Sequence, residues 1–253
     1  MNPIRDTIGY ADESWNVITG CRHGCPYCYA RRIAQNLQRR ATLGDDCTQP
    51  GGGLHEIRYR RGAAADSYRY GFEPTFHSHR LGEPGRRRKS EVIFVSDMGD
   101  LFGEWVPSEW IDQVLQVIRD CPWHSFLLLT KNSRRYGEFS LPENCWAGTT
   151  YTGPADERRI WDLPLTTHPN LWVSYEPSLG PYPRMWAGGY IRWIVVGAQS
   201  GSGAVAPRPE WIRDLLDARD QMGDEGAKVF FKDNLVWPEP RPRERPEGLV
   251  IGR

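Results

Sequence analysis

Three cysteines lie close together near the start of the chain, in the stretch WNVITGCRHGCPYCYARRIA. Cys21, Cys25 and Cys28 have the spacing C-x3-C-x2-C. The thiolate is the form of cysteine that binds metals, and metal binding drives its formation. A structural zinc site usually has four ligands, and His23 or Cys47 would have to supply the fourth. A 4Fe–4S cluster is also held by thiolates, and three of them leave one iron open to another ligand. The spacing therefore favours a reactive cluster over a closed structural site.

The elements that must position these cysteines follow from the rest of the sequence. After residue 90, short apolar runs rich in strand-forming residues alternate with helical or loop segments. The runs cover residues 91–97, 125–131, 145–150, 171–177, 191–200 and 228–234. Near-continuous apolar strands joined by crossovers predict a parallel sheet buried on both faces. Segments 107–121 and 208–222 show helical spacing of apolar residues, and 13–19 predicts a first strand. The pattern predicts a complete or partial (β/α) TIM-type barrel of about six to seven parallel strands.

The chain length of 253 residues suits one large domain. We assign residues 1–237 to a single α/β domain. Residues 38–90 interrupt the strand–helix pattern with Gly, Arg and Tyr, which predicts a long loop or insertion region whose part from 41 to 66 is mobile. Residues 238–253 are rich in Pro and Arg, which predicts an extended tail.

Polar residues follow most of the predicted strands. The carboxyl ends of the strands build the active site in an α/β barrel. The cysteine loop follows the first strand, so we expect it at the same edge of the sheet. The polar residues expected there are Ser96, Asp97, Asp100, Thr130, Lys131, Thr149, Thr150, Ser174, Glu176, Gln199, Ser200, Lys232, Asp233 and Asn234.

The cysteine motif resembles that of the radical S-adenosylmethionine (radical SAM) superfamily, C-x3-C-x-aromatic-C, with Tyr27 at the aromatic position. The stretches GFEPTFHSHRL, VIFVSDMGDLFGEWVP, FLLLTKN and KVFFKDNL are similar to a phage and prophage family of radical-SAM-like proteins without an assigned reaction. This resemblance covers most of the chain apart from residues 41–66 and the tail. It implies an enzyme with a radical-SAM-like barrel.

The resemblance also implies a mechanism. Cys21, Cys25 and Cys28 would hold three irons of a 4Fe–4S cluster, and S-adenosylmethionine would chelate the fourth. An electron from a donor of flavodoxin or ferredoxin type would cleave the cofactor, and the resulting 5′-deoxyadenosyl radical would abstract a hydrogen from the substrate. Radical chemistry belongs to the cofactor, while the protein positions it and excludes water.

The resemblance also implies which residues contact S-adenosylmethionine. Tyr27 would lie beside the adenine. The segment SDMGD follows a strand where radical SAM enzymes often carry Gly-Gly-Glu, although it lacks the glycine pair. The carboxylates of this segment would hold the amino group of the cofactor. The residues implied are Tyr27, Ser96, Asp97, Asp100, Glu176 and Gln199, the last two contacting ribose or substrate.

Charge and targeting signals bear on partners and compartment. Residues 1–90 carry 15 Lys and Arg against 9 Asp and Glu, and this basic third favours an anionic partner such as nucleic acid or a nucleotide. The start of the chain lacks an apolar signal segment, and no run of about 18 apolar residues occurs, so we expect no membrane partner. Clustered cysteines outside a secretory context indicate a cytoplasmic protein with reduced thiols.

Two other functions compete with a radical enzyme that modifies or repairs nucleic acid or a nucleotide. A zinc-stabilised nucleic-acid-binding protein without enzymatic activity would use the three cysteines with His23 or Cys47. A radical SAM enzyme that modifies peptides is the second alternative, although the sequence has no further cysteine cluster of the kind that often serves that chemistry.

Overall fold

A computed structural model describes residues 1–39, 53–59, 67–201 and 203–249 of the protein. Cys47 and most of residues 41–66 lie outside the described residues, so the predictions for them stay predictions. In chain order the strands are β1 (Asn2–Pro3), β2 (Glu13–Trp15), β3 (Ile18–Thr19), β4 (His55–Glu56), β5 (Thr75–Phe76), β6 (Val92–Val95), β7 (Ser125–Thr130), β8 (Cys145–Tyr151), β9 (Leu171–Tyr175), β10 (Trp193–Val196) and β11 (Lys228–Phe231). The α-helices are α1 (Arg5–Ile8), α2 (Tyr29–Gln38), α3 (Ser108–Asp120), α4 (Glu157–Trp161) and α5 (Pro209–Gln221).

Eight strands form one large sheet in the order β1-β2-β6-β7-β8-β9-β10-β11. All neighbours from β2 to β11 run parallel, and β1 alone pairs antiparallel, with β2. Each of the six apolar runs after residue 90 contains one of these strands, so their prediction is confirmed. The parallel direction places all carboxyl ends from β2 to β11 at one edge.

The predicted TIM-type barrel of six to seven parallel strands is wrong. The structure has a mixed α/β fold with a mostly parallel sheet of eight strands in linear order. Within the described residues, the edge strands β1 and β11 pair with β2 and β10 respectively and not with each other. The apolar runs predicted strand positions correctly, but closure depends on pairing between the two edges, and that information is not local.

Helices cover one face of the sheet. In α3 the residues Ile111, Val114, Leu115 and Ile118 recur at helical spacing and are fully buried against the sheet. Burying each such side chain contributes about 1.5–3 kcal/mol. The helix starts after Pro107, and together with α5 it forms the layer expected from segments 107–121 and 208–222.

Aromatic side chains fill the opposite face. Tyr10, which follows α1, packs with ring centroids 5.8 Å from both Trp193 and Phe230 and 6.2 Å from Trp172. These four side chains are buried and belong to one hydrophobic cluster on this face. Cys121 and Cys145 are buried free thiols.

A second, three-stranded sheet in the order β3-β5-β4 occupies part of the region predicted as a long loop. Ile18 pairs with Phe76, and Thr75 pairs with His55. The expected first strand over 13–19 is therefore split into β2 and β3, which belong to different sheets. This small sheet supports the chain as it enters the cysteine loop.

The described part of the predicted tail comprises residues 238–249. It lies along β11, where Phe231 N donates to Pro242 O at 2.9 Å and Glu244 N donates to Val229 O at 2.9 Å. Leu249 is buried in the aromatic cluster. None of the helices in the described ranges is both long enough and apolar enough to cross a membrane.

Candidate functional site

A tight backbone crossing leads into the cysteine loop. Gly20 has φ +83° and donates its N–H to Met98 O at 2.9 Å. A Cβ at this position would lie 2.2 Å from Glu73 O, and Gly99 approaches from the other side through a parallel bridge to Gly20. Only glycine fits this conformation and space. The crossing fixes the position of Cys21, which lies next to the turn that follows β6.

The three motif cysteines are free, half-buried thiols. Cys21 Sγ accepts a weak hydrogen bond from His23 N at 3.5 Å. Cys28 is the N-cap of α2, and its Sγ accepts from Arg31 N at 3.4 Å. Burial, together with the charge of Asp100, raises the pKa of the Cys21 thiol to about 12. Cys21 is therefore protonated at neutral pH and loses its proton only when a metal replaces it.

The donor set fits an iron–sulfur cluster by its chemistry. It consists of three thiols on one loop, and two of them accept hydrogen bonds from backbone N–H groups of the kind that tune such clusters. In the part of the chain that the structure describes, no group of three or more Cys, His, Asp or Glu side chains is already arranged to hold a metal ion. His23, a proposed fourth zinc ligand, holds Asp100 instead, with Nε2 and Oδ2 2.8 Å apart.

Asp100 connects the cysteine loop to the end of β7 through its carboxylate. It is only 4% exposed. Its Oδ1 accepts from Phe102 N at 3.0 Å, and its Oδ2 accepts from Lys131 N at 3.1 Å and contacts His23. Burial alone would raise the pKa of Asp100, but these hydrogen bonds, with one from Thr130, lower it below its usual value. Because both oxygens are occupied, Asp100 fits a positioning role better than contact with a cofactor.

Asp97 is the more accessible carboxylate of the SDMGD segment. Its Oδ1 accepts from Asn16 Nδ2 at 2.6 Å, while Asn16 Oδ1 accepts from Met98 N at 3.0 Å. Burial raises the pKa of Asp97, and hydrogen bonds from Asn16 and Ser14 oppose that increase. The preceding Ser96 is buried with φ +58°, a left-handed conformation that is strained for a non-glycine residue. The chain turns sharply at Ser96, directly after β6.

Tyr27 lies on the β7–β8 side of the cysteine loop. Lys131 Nζ is 6.0 Å from the centre of its ring. Burial, together with the charges of Cys25 and Asp156, raises the pKa of Tyr27 to about 12. The ring therefore stands between the loop and the ends of β7 and β8, where a planar ligand group could stack.

Glu176 and Lys232 form an ion pair between the ends of β9 and β11. A Cβ at Gly197 would lie 2.9 Å from the Glu176 side chain, so the end of β10 packs closely against it. Lys232 Nζ lies 6.0 Å from the Tyr10 ring centre. Burial raises the pKa of Tyr10, and the charges of Glu176 and Asp97 raise it further. Glu176 and Asp97 thus face the same buried tyrosine.

Gln199 belongs to the exposed loop after β10. Its Oε1 accepts from Val205 N at 3.3 Å, and among the described residues it makes no hydrogen bond with the cysteine loop. The loop nevertheless approaches α2, because a Cβ at Gly201 would lie 2.7 Å from the guanidinium of Arg32. The structure thus brings the cysteine loop together with the ends of β6 and β7, with Glu176 further along the same edge.

Sequence reasoning missed three residues that shape this edge. Asn16 holds Asp97, Tyr29 OH donates to Asp97 O at 2.9 Å, and Arg32 reaches the loop after β10. An asparagine inside an apolar strand pattern was a usable signal, because Asn is depleted in strands. The other two lie on α2, where spacing alone did not show which face meets the site.

The fold and the site together define a mixed α/β protein with a cysteine-rich loop at the carboxyl edge of its parallel sheet. The chain belongs to the family described as "Protein of unknown function (DUF5131)", whose model matches residues 5–246. Neither the curated proteins nor the solved structures that were compared gave a match.

Proposed function

We propose that the protein is a radical SAM enzyme. The observation that supports this most is the position of the three-cysteine motif. Cys21, Cys25 and Cys28 are free, half-buried thiols on one loop, at the edge where the polar ends of the parallel strands meet. A position there allows other strand ends to hold a cofactor and a substrate beside the loop. A sealed structural metal site would have no need of that edge.

The residues have distinct tasks under this proposal. Cys21, Cys25 and Cys28 would hold a 4Fe–4S cluster, which with S-adenosylmethionine would supply a 5′-deoxyadenosyl radical when an external donor of flavodoxin or ferredoxin type provides the electron. Asp97 would accept hydrogen bonds from an ammonium group, since a charge-assisted bond of this kind contributes about 1.5–3 kcal/mol. Tyr27 would stack on a planar group.

Hydrogen bonds from neighbouring residues keep this arrangement fixed. Asp100 ties His23 of the cysteine loop to the main chain of Lys131, so the loop and the end of β7 cannot move independently. Asn16 holds the Asp97 carboxylate and the Met98 N–H at once. Fixing the supporting residues limits the geometries that a reactive species can reach.

The test is anaerobic reconstitution of the full chain with iron and sulfide. We expect about four irons and four sulfides per chain, a brown protein, and release of 5′-deoxyadenosine from S-adenosylmethionine after reduction with dithionite. A colourless protein that retains only zinc after this treatment would support the zinc-binding alternative and end the enzyme proposal.

Single cysteine variants supply the matched control. Cys21→Ala, Cys25→Ala and Cys28→Ala should each abolish the cluster absorption. Cys121→Ala should retain it, because Cys121 is buried beside α3 and away from the loop. Loss of the cluster in Cys121→Ala, or its survival in a motif variant, would contradict the assignment of ligands.

A further inference from the structure

Three cations flank the cysteine loop without a polar side-chain partner in the described ranges. Lys131 follows β7 and lies over the Tyr27 ring, while Arg31 and Arg32 lie on the first turn of α2. The guanidinium of Arg31 lies 5.6 Å from the centre of the Phe72 ring. Their side chains make no hydrogen bond or ion pair with any described residue.

The carboxylates near the loop are mostly neutralised by other residues. Glu176 is paired with Lys232, Asp156 lies 2.8 Å from Arg159, and Glu73 lies 3.5 Å from Arg22. Asp100 is buried beneath the loop under its hydrogen bonds, so it does not face solvent. Asp97 is held by Asn16 rather than by a cation, but the three cations outnumber it, so the uncompensated charge of the described residues around the loop is mainly positive, which favours a ligand that carries several negative charges.

The cations lie on opposite sides of the cysteine loop. Lys131 lies on the β7–β8 side of the cysteine loop, next to Tyr27. Arg32 marks the β10 side, because it reaches Gly201 in the loop after that strand. A ligand that meets both must cross the loop, which a chain of phosphates can do and a single small anion cannot.

The rim also offers an exposed aromatic ring. Tyr29 is 47% exposed, although its hydroxyl is fixed to Asp97 O. Basic residues interleaved with aromatic rings are the pattern that binds single strands, because each base can stack and each phosphate can meet a cation. The half-buried thiols favour an unpaired strand as well, because a base within a duplex cannot enter a recessed site.

We propose that this rim, formed by Tyr29, Arg31, Arg32 and Lys131, binds single-stranded nucleic acid across the cysteine loop. The inference names the substrate class for the proposed radical enzyme and rests on that function. The phosphates contact Arg31, Arg32 and Lys131, a base stacks on Tyr29, and the next nucleotide enters beside the thiols.

The experiment measures fluorescence anisotropy of labelled strands of about 12 nucleotides, a length within the site sizes of single-strand binders. Both DNA and RNA strands are used, with the full chain as purified and after anaerobic reconstitution. With three phosphate contacts, log K should fall with log salt at a slope of about −2. Arg32→Gln and Lys131→Gln should each reduce that slope by about 0.7 and weaken binding about three- to tenfold.

Arg88→Gln is the matched control. It removes the same charge from an exposed residue in the segment before β6, at the opposite edge of the sheet, and should bind as the parent does. Equal binding by the parent, Arg32→Gln and Lys131→Gln would overturn the proposal. Tighter binding of the corresponding duplex, or equal competition by polyglutamate, would overturn it too.

The two proposals fail in different ways. If the parent assembles the cluster and releases 5′-deoxyadenosine but does not bind the strands, only the substrate inference fails. If the strands bind as described but only zinc is retained, the enzyme proposal fails and the rim remains a nucleic-acid surface of a zinc protein.

Discussion

Replacing Asp100 by asparagine tests how the carboxylate supports the site. Asn has nearly the same shape, but its amide presents one acceptor oxygen and one NH2 donor where the carboxylate has two acceptors. In the parent, Oδ2 meets two donors, Lys131 N and His23 Nε2, while Oδ1 meets Phe102 N. Whichever way the amide turns, its NH2 group faces at least one N–H donor.

The size of the effect follows from these contacts. Hydrogen bonds to a charged group contribute about 1.5–3 kcal/mol each, and removing one partner from a buried charged network costs about 3–5 kcal/mol. Asp100 is 4% exposed, so water cannot replace the lost partner. We expect Asp100→Asn to lower the free energy of unfolding by about 3–5 kcal/mol. For a chain of this size the Tm should fall by about 6–20 °C.

Differential scanning calorimetry of the parent and the variant measures this loss. Asp120→Asn is the control, because Asp120 is exposed at the end of α3, where its Oδ1 accepts a hydrogen bond from Gln116 Nε2 at 2.9 Å. Its stability should stay within about 0.5 kcal/mol of the parent. If the Tm of Asp100→Asn matches that of Asp120→Asn, the network does not stabilise the fold, and Asp100 is again a candidate for direct cofactor contact.

Three further predictions concern the backbone crossing, a buried histidine and the accessible carboxylate. Gly20→Ala should destabilise the fold by more than about 4 kcal/mol, because its Cβ would meet Glu73 O, whereas Gly24→Ala, at φ +71° with open space, should cost about 1–2 kcal/mol by chemical denaturation. Burial lowers the pKa of His77, which contacts Thr19, so below about pH 6.5 the unfolded chain binds a proton that the folded chain does not. The free energy of unfolding should therefore fall by up to about 1.4 kcal/mol for each pH unit below that value. Urea unfolding at several pH values should show that the free energy of unfolding of His77→Gln depends less steeply on pH. Asp97→Asn should weaken S-adenosylmethionine binding at least tenfold with an intact cluster spectrum; unchanged affinity in anaerobic calorimetry would assign the ammonium group to another strand end.

The strand positions could be predicted from sequence because they depend on local apolar runs. The run at 171–177 contains β9, and all residues of β9 are buried. A near-continuous apolar pattern is typical of a strand buried on both faces. The shape of the sheet could not be predicted in the same way. Whether β1 and β11 pair is decided by the curvature of six intervening strands, and β1 itself is only two residues long and lacks an apolar pattern.

The site was predictable only in part. The motif spacing located the cysteines, and the strand-end rule brought the SDMGD segment to the same edge. The roles within that segment depended on contacts between distant residues, because His23 and Lys131 occupy Asp100 while Asn16 leaves Asp97 more accessible. No local pattern distinguishes two aspartates three positions apart, so the division of roles required the structure.

The pairing of β2 with β6 has a consequence for how the protein is made. Asp12 Oδ2 accepts from Val92 N across 80 residues of chain, so the cysteine loop is synthesised well before its support exists. At roughly 5–20 residues per second, a ribosome needs about 4–16 seconds to add those residues. For most of that interval the three motif thiols are already part of the nascent chain, before β6 is available to pair with β2, and they are open to oxidants and to zinc. Growth at low temperature lengthens the interval, so under the proposed cluster function preparations from slow translation should carry more oxidised or zinc-bound protein unless iron is supplied and oxygen is kept low.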